Sequence, residues 1–310
     1  MEVVIRPNAE AATDLVARII ARELRDNPRL AMGLATGRTM ESVYGRLVQM
    51  HREEGLDFST CHTFNLDEYV GLPSSHRNSY RHYMNHNLFL RVNVDLRNTH
   101  LPDGMATDIE AECERYEKVI AQCGGIDLQL LGIGLVGHLG FNEPASSLRS
   151  RTRIKVLSPM TCAQNAPQFE PPEKMPRRAI TMGVSTILNA RRCLLLATGK
   201  DKAEIVARAI EGPVTSMISA TALQFHPHCT VVLDEAAASR LLETDYYHWI
   251  FENEPQWQVY RDKKWFQSGR PSSQNGSVEE KNVPFDLTAS RTAFSGLPQK
   301  QEADIIGGNH

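Results

Sequence analysis

Four glycines in nine residues, set around a histidine and followed by a glutamate, mark the first place in this chain where chemistry could sit: Leu131-Gly132-Ile133-Gly134-Leu135-Val136-Gly137-His138-Leu139-Gly140-Phe141-Asn142-Glu143-Pro144. Glycine lets backbone approach a ligand closely, and an imidazole in such a turn moves protons near neutral pH. His138 is therefore a candidate acid–base group, and Glu143 is a second polar group set into the same apolar run. Gly132, Gly134 and Gly137 also fit the GxGxxG spacing of a dinucleotide site, but the acid that should follow about 20 residues later is absent. A buried histidine held by a backbone carbonyl is the structural alternative.

Two further stretches carry polar groups at the ends of apolar runs. In Phe64-Asn65-Leu66-Asp67-Glu68-Tyr69-Val70-Gly71-Leu72-Pro73 a strand-like segment ends in adjacent carboxylates. Ligands of open α/β sheets bind beyond the carboxyl ends of strands, where Asp67 and Glu68 would serve as bases. The plainer reading makes Asp67 a turn residue and Glu68 a surface charge. In Gly33-Leu34-Ala35-Thr36-Gly37-Arg38-Thr39 a strand runs through a turn into a helix with Val43, Leu47 and Met50 on one side. Turn amides, the helix N-terminus, the hydroxyls of Thr36 and Thr39 and the Arg38 guanidinium would together hold a phosphate. The GxxxxGK[ST] spacing of a Walker loop is missing, and an ordinary βα turn would use Gly37 in the same way.

Alternating short apolar runs and helical periods must position these groups. Val3–Ile5, Leu30–Leu34, His62–Leu66, Leu128–Gly132, Ala179–Gly183, Cys193–Ala197 and Thr230–Leu233 read as strands of one largely parallel, covered sheet. Between the first two, Asn8 caps a helix whose apolar positions Ala12, Leu15, Val16, Ile19, Ile20 and Leu24 recur every three or four residues. Residues 1–255 are expected to form this α/β domain. Residues 256–310 are expected to be a polar, largely disordered extension, with Trp257, Tyr260, Trp265 and Phe266 able to dock before the polar stretch from Ser268.

Composition narrows the function. Among 310 residues, 34 Lys and Arg against 37 Asp and Glu give a net charge of −3, with no basic block to meet nucleic acid. No apolar run is long enough for a membrane span and the N-terminus lacks a signal-peptide pattern, so a cytoplasmic protein is expected. The six cysteines are scattered without CxxC spacing and read as free thiols, mostly core filler.

FNLDEYVGLP, GHLGFNEPASS, SRTRIK and LQFHPH, in this order, resemble the glucosamine-6-phosphate deaminase (isomerase) family over roughly residues 1–250. The resemblance implies a Rossmann-like α/β fold with a largely parallel central sheet and helices on both faces. It implies a sugar-phosphate substrate, conversion of glucosamine 6-phosphate to fructose 6-phosphate with release of ammonia, no cofactor or metal, and frequent homo-oligomers. His138 then matches the ring-opening histidine, supported by Glu143, and Asp67 the base at C2 whose proton returns at C1. Thr36, Gly37, Arg38 and Thr39 match the phosphate loop, and Lys202 the phosphate lysine. Ser146, Arg153, Lys155 and Tyr247, with the N-terminal amine, match an N-acetylglucosamine 6-phosphate activator site found in some members.

This sequence departs from the family pattern at three places. Val136 stands where Asp or Asn is usual, Pro167 where a phosphate-binding arginine is usual, and Arg38 and Met40 where a small residue and a proline are usual. Slow ring opening is one expectation from Val136, and replacement of the lost cation by Arg38 is another. The lid after SRTRIK carries Pro167, Pro171, Pro172 and Pro176, which restrict its closure. These departures leave two alternatives to an active deaminase: a catalytically weak or silent sugar-phosphate sensor, and a 6-phosphogluconolactonase-like hydrolase on a similar scaffold.

Overall fold

The computed structural model describes residues 1–171 and 173–261. Ten strands are present among them: β1 (Glu2–Arg6), β2 (Ala31–Leu34), β3 (His62–Asn65), β4 (Asp67–Tyr69), β5 (Thr99–His100), β6 (Leu128–Leu131), β7 (Arg153–Val156), β8 (Arg178–Thr181), β9 (Arg192–Ala197) and β10 (Cys229–Asp234). Seven form one sheet in the order β1-β10-β9-β6-β2-β3-β5, every neighbouring pair parallel. Every residue of β2, β6 and β10 is buried on both faces of the pleat, so the sheet is covered on both sides.

The first helix, α1 (Ala9–Asp26), starts where Asn8 Oδ1 accepts the Ala11 N–H at 2.8 Å. Its apolar stripe, Ala12, Leu15, Val16, Ile19, Ile20 and Leu24, is entirely buried. The helix α2 (Arg38–Glu54) leaves β2, and it too turns Val43, Leu47 and Met50 into the core. From β2 the chain runs outward through β3 and β5 on one side, then returns to β6 and runs through β9 and β10 on the other. Connections leaving β2 and β6 therefore part at the carboxyl edge, which opens the ligand crevice of such folds.

Ala179–Gly183, expected in the main sheet, is not there. Its strand, β8, lies between β4 and β7 in a separate antiparallel sheet of three. A short apolar run has the same periodicity in either setting, and only pairing with Asp67–Tyr69 and Arg153–Val156 distinguishes them. A small apolar cluster of Tyr69, Leu72, Phe141, Leu157, Phe169 and Ala179 packs against this second sheet.

Near the C-terminal end of the described chain, Trp257 is buried against Phe251 and Tyr260, and the Arg6 guanidinium lies 5.0 Å from the Phe251 ring centre. Helical structure thus continues past 255 to Arg261. Trp265, Phe266 and the polar stretch from Ser268 lie outside the described residues. All six cysteines are free, four of them buried. Among the described residues no helix is long and apolar enough to cross a membrane.

Candidate active site

The chain leaves the parallel sheet and enters the antiparallel one at a single residue. Leu66 donates its N–H to Leu34 O at 3.1 Å and accepts the Met182 N–H at 2.6 Å, which locks the crossing. The next residue, Asp67, is only 5% exposed. Its Oδ2 lies so close to Gly140 that a Cβ there would stand 3.1 Å away, and 2.9 Å from Thr181 Oγ1. Gly140 also has φ +54°, so both space and backbone favour glycine, and the strand end meets the glycine-rich loop here. Among the described residues no hydrogen bond reaches the Asp67 carboxylate. Burial, with the neighbouring Glu68 charge, pushes its pKa up to about 8.

Glu68 is neither a surface charge nor a second base facing the loop. It is buried and accepts N–H groups from Tyr69 (2.9 Å), Tyr80 (3.0 Å) and Arg81 (3.0 Å), and so anchors the start of α3 (Tyr80–Asn87). Adjacent strand residues point to opposite faces, which explains why neighbouring carboxylates take different work.

His138 sits on bare backbone: a Cβ on Gly134 would stand 1.9 Å from both its Cδ2 and its Nε2. Its Nδ1 faces Glu143 Oε2 at 3.4 Å. The other oxygen of Glu143 accepts the Ser158 N–H at 3.0 Å. Burial pushes the Glu143 carboxyl up, but hydrogen bonds from His138, the Ser158 N–H and Thr161 overcome it and hold the pKa down to about 2. The loop is clamped from behind. Ser219 Oγ accepts the Leu139 N–H at 3.0 Å and donates to Asn142 O at 3.1 Å, and Asn142 Nδ2 donates to the Leu139 and Met182 carbonyls, each at 2.9 Å. Ser219 was not a sequence candidate, because its place follows from a contact 80 residues away in the chain.

The phosphate-loop candidates gather at the start of α2. Gly37 is its N-cap residue, with φ +113° and open space where a side chain would stand. Tyr83 donates its hydroxyl to Gly37 O at 2.8 Å, and Tyr80 hydrogen bonds Thr36. Arg38 is exposed, and Thr36 and Thr39 are half-buried. Lys202 donates Nζ to Ile133 O at 3.0 Å, and burial lowers its pKa. Met40 Cε would stand 3.5 Å from a Cβ on Gly132. The first turn of α2 and Lys202 thus both adjoin the turn Gly132–Gly134.

Val136 is half-buried in the loop closed by Gly134 N–H to His138 O at 3.0 Å, so Glu143 is the carboxylate that orients His138. Pro167 is exposed on the short turn after α5 (Pro159–Asn165). This segment is tied to the loop before α3: Asn78 Nδ2 donates to Gln168 O at 2.8 Å, and Asn165 Nδ2 to Tyr69 Oη at 3.0 Å.

Of the activator-site candidates, Arg153 meets the glycine-rich loop. Arg153 Nη1 donates to Asn142 Oδ1 at 2.9 Å, while its Nη2 and Ser146 Oγ are buried without partners among the described residues. The helix α4 (Ile109–Gln122) and β7 line a cavity of about 590 Å³ that includes Arg153. Lys155 is half-buried on β7, and Tyr247 donates its hydroxyl to Glu211 Oε1 at 3.1 Å.

A glucosamine-6-phosphate deaminase of Arthrobacter sp. (strain FB24) is 48% identical over 258 residues, 83% of this chain and 99% of that protein. A solved monomeric glucosamine-6-phosphate deaminase superposes with a TM-score of 0.76 at 42% identity, covering 77% of this chain and all of the other. The 6-phosphogluconolactonase of Trypanosoma cruzi shares the fold, with a TM-score of 0.63 at 20% identity over 78% of this chain and 97% of that one. Residues 7–232 match the model of the glucosamine-6-phosphate isomerases/6-phosphogluconolactonase family, and the chain belongs to that family.

Proposed function

We propose that this protein is a glucosamine-6-phosphate deaminase, in which glucosamine 6-phosphate and water yield fructose 6-phosphate and ammonia. The observation that carries the reading is the approach of Asp67 Oδ2 to Gly140, which sets a buried carboxylate with no hydrogen bond among the described residues against the loop holding the His138–Glu143 pair. His138 moves the proton between O5 and O1 as the ring opens, with Glu143 holding the imidazole. Asp67 removes the proton from C2 of the open chain. The resulting enolamine takes a proton at C1, and water then displaces ammonia from C2. A base with its pKa near neutrality suits that task.

Thr36, Gly37, Arg38, Thr39 and Lys202 hold the phosphate, whose binding fixes the register of the sugar. The unpartnered Ser146 Oγ and Arg153 Nη2 support a polar activator beside the loop, with Lys155 and Tyr247 as further contacts. Self-association is part of the proposal, to be checked by the mass of the chain in solution. Identity of 48% to a deaminase against 20% to a lactonase favours the deaminase over the hydrolase, and the intact His138–Glu143–Asp67 set favours it over a silent sensor. The test is ammonia release from glucosamine 6-phosphate and its galacto epimer by the purified chain, with and without N-acetylglucosamine 6-phosphate. Absence of ammonia under all these conditions, with folded protein that still binds the sugar phosphate, would overturn the reading.

A further inference from the structure

At the opposite end of β3 from Asp67 lies a second polar cluster that the proposed reaction does not use. His62 opens β3, His100 closes the neighbouring edge strand β5, and Cys123 caps the C-terminus of α4. Their Nδ1, Nε2 and Sγ atoms all lie within 4.8 Å of one another, with His62 Nδ1 3.5 Å from His100 Nε2 and 3.7 Å from Cys123 Sγ. We propose that His62, His100 and Cys123 bind one divalent ion of the zinc class.

Bond lengths support this assignment. In a tetrahedral site with Zn–N near 2.0–2.1 Å and Zn–S near 2.3 Å, two nitrogens stand about 3.3 Å apart and nitrogen and sulfur about 3.6 Å. The two separations, 3.5 and 3.7 Å, are within a few tenths of an ångström of these. Two imidazoles and a thiolate are borderline-soft donors, suited to zinc and unsuited to calcium or magnesium, and three protein ligands leave a fourth position for water.

The imidazole planes are 4° apart with their nitrogens facing, so the rings share a hydrogen bond in this state. An ion takes its place when each ring pivots about its Cβ–Cγ bond. The Cys123 thiol proton then leaves to solvent, and the proton between the rings moves to the outer nitrogen of its own ring. Arg81 and Arg115 lie near His100. Arg115 is paired with Glu112 at 2.6 Å, Arg81 donates to Thr99 Oγ1 and O at 2.7 and 2.9 Å, and the thiolate offsets part of the ion's charge. All three ligands are half-buried, leaving a path for the ion.

The full chain, stripped with a chelator, should take up one equivalent of Co²⁺ with a thiolate-to-cobalt charge-transfer band that Zn²⁺ removes. Cys123→Ser should abolish the band, and both Cys123→Ser and His62→Gln should weaken Zn²⁺ binding at least about 100-fold, since even outer-shell changes cost 10–100-fold. In the unsubstituted protein Zn²⁺ should protect Cys123 from alkylation while Cys162, also half-buried, reacts as before. This last measurement decides the matter if a variant fails to fold. A missing band, a band retained in Cys123→Ser, or unprotected Cys123 would overturn the proposal. Ammonia release should survive stripping, because this cluster lies away from Asp67 and His138.

Discussion

Asp67 and Glu143 are equally buried, each 5% exposed, yet the strand end pushes one carboxyl up to about 8 and the glycine-rich loop holds the other down to about 2. Burial opposes ionisation in both places. The difference is what meets the oxygens. Glu143 is met by an imidazole, a backbone N–H and a threonine, while Asp67 has no hydrogen bond among the described residues and a like charge on the next residue. Two equally buried carboxylates are thus pushed to opposite sides of the usual range by environment alone.

Replacing Asp67 should break this contrast most severely. Asp67→Asn removes the base but keeps the shape, so turnover should fall by about 10³-fold or more with little change in binding of a phosphorylated inhibitor, and exchange of the C2 proton with solvent should stop. Near-normal exchange would refute the assignment. The same variant should be more stable at alkaline pH. With a folded pKa raised above the usual Asp value near 3.9, the native state keeps a proton that the unfolded chain has lost. Stability of the parent therefore declines between about pH 4 and pH 8, by ~1.4 kcal/mol per unit at most. Melting curves at pH 5 and pH 8.5 should show Asp67→Asn gaining more on the parent at the higher pH.

Glu143→Gln makes the loop resemble the strand end by removing the anion beside His138. Turnover of the cyclic substrate should fall about 10²-fold, with a smaller loss on an open-chain analogue. The stabilising effect of Glu143 is present above the ordinary Glu pKa and is lost as pH falls toward about 2, so acid unfolding should begin at higher pH in this variant. Equal losses on both substrates would show that Glu143 does not act through ring opening.

Arg38→Ala leaves both carboxylates alone and tests the phosphate. A charged hydrogen bond of roughly 1.5–3 kcal/mol predicts tenfold to hundredfold weaker binding of the sugar phosphate, with hardly any effect on the unphosphorylated amino sugar. Equal weakening of both would remove Arg38 from the site. The smallest effect is expected from Val136→Asp, which extends the polar side of the contrast. It should raise turnover of the cyclic substrate severalfold if Val136 limits ring opening. A lowered rate would mean that Glu143 alone suffices to set His138.

Much of this was readable in one dimension. The stripe on α1, its Asn8 cap and the strand–turn–helix at Gly37 follow from spacings of a few residues, where local sterics and hydrogen bonding act directly. The small sheet was not readable. Its strand Arg153–Val156 alternates charge and apolar residues, β8 looks like a main-sheet strand, and Glu68 looks like a surface charge until α3 is placed against it.

The amino-acid sequence by itself determined the layered α/β class and the family, and put forward the candidate site residues, because periodicity and short motifs are properties of neighbours in the chain. Only tertiary structure decided that hydrogen bonds meet the Glu143 carboxylate while none among the described residues meets that of Asp67, and that His62, His100 and Cys123 bring their donor atoms within 4.8 Å of one another. Both outcomes depend on the distances and dielectric around atoms brought together by strand pairing and helix packing, and no spacing along the chain encodes them.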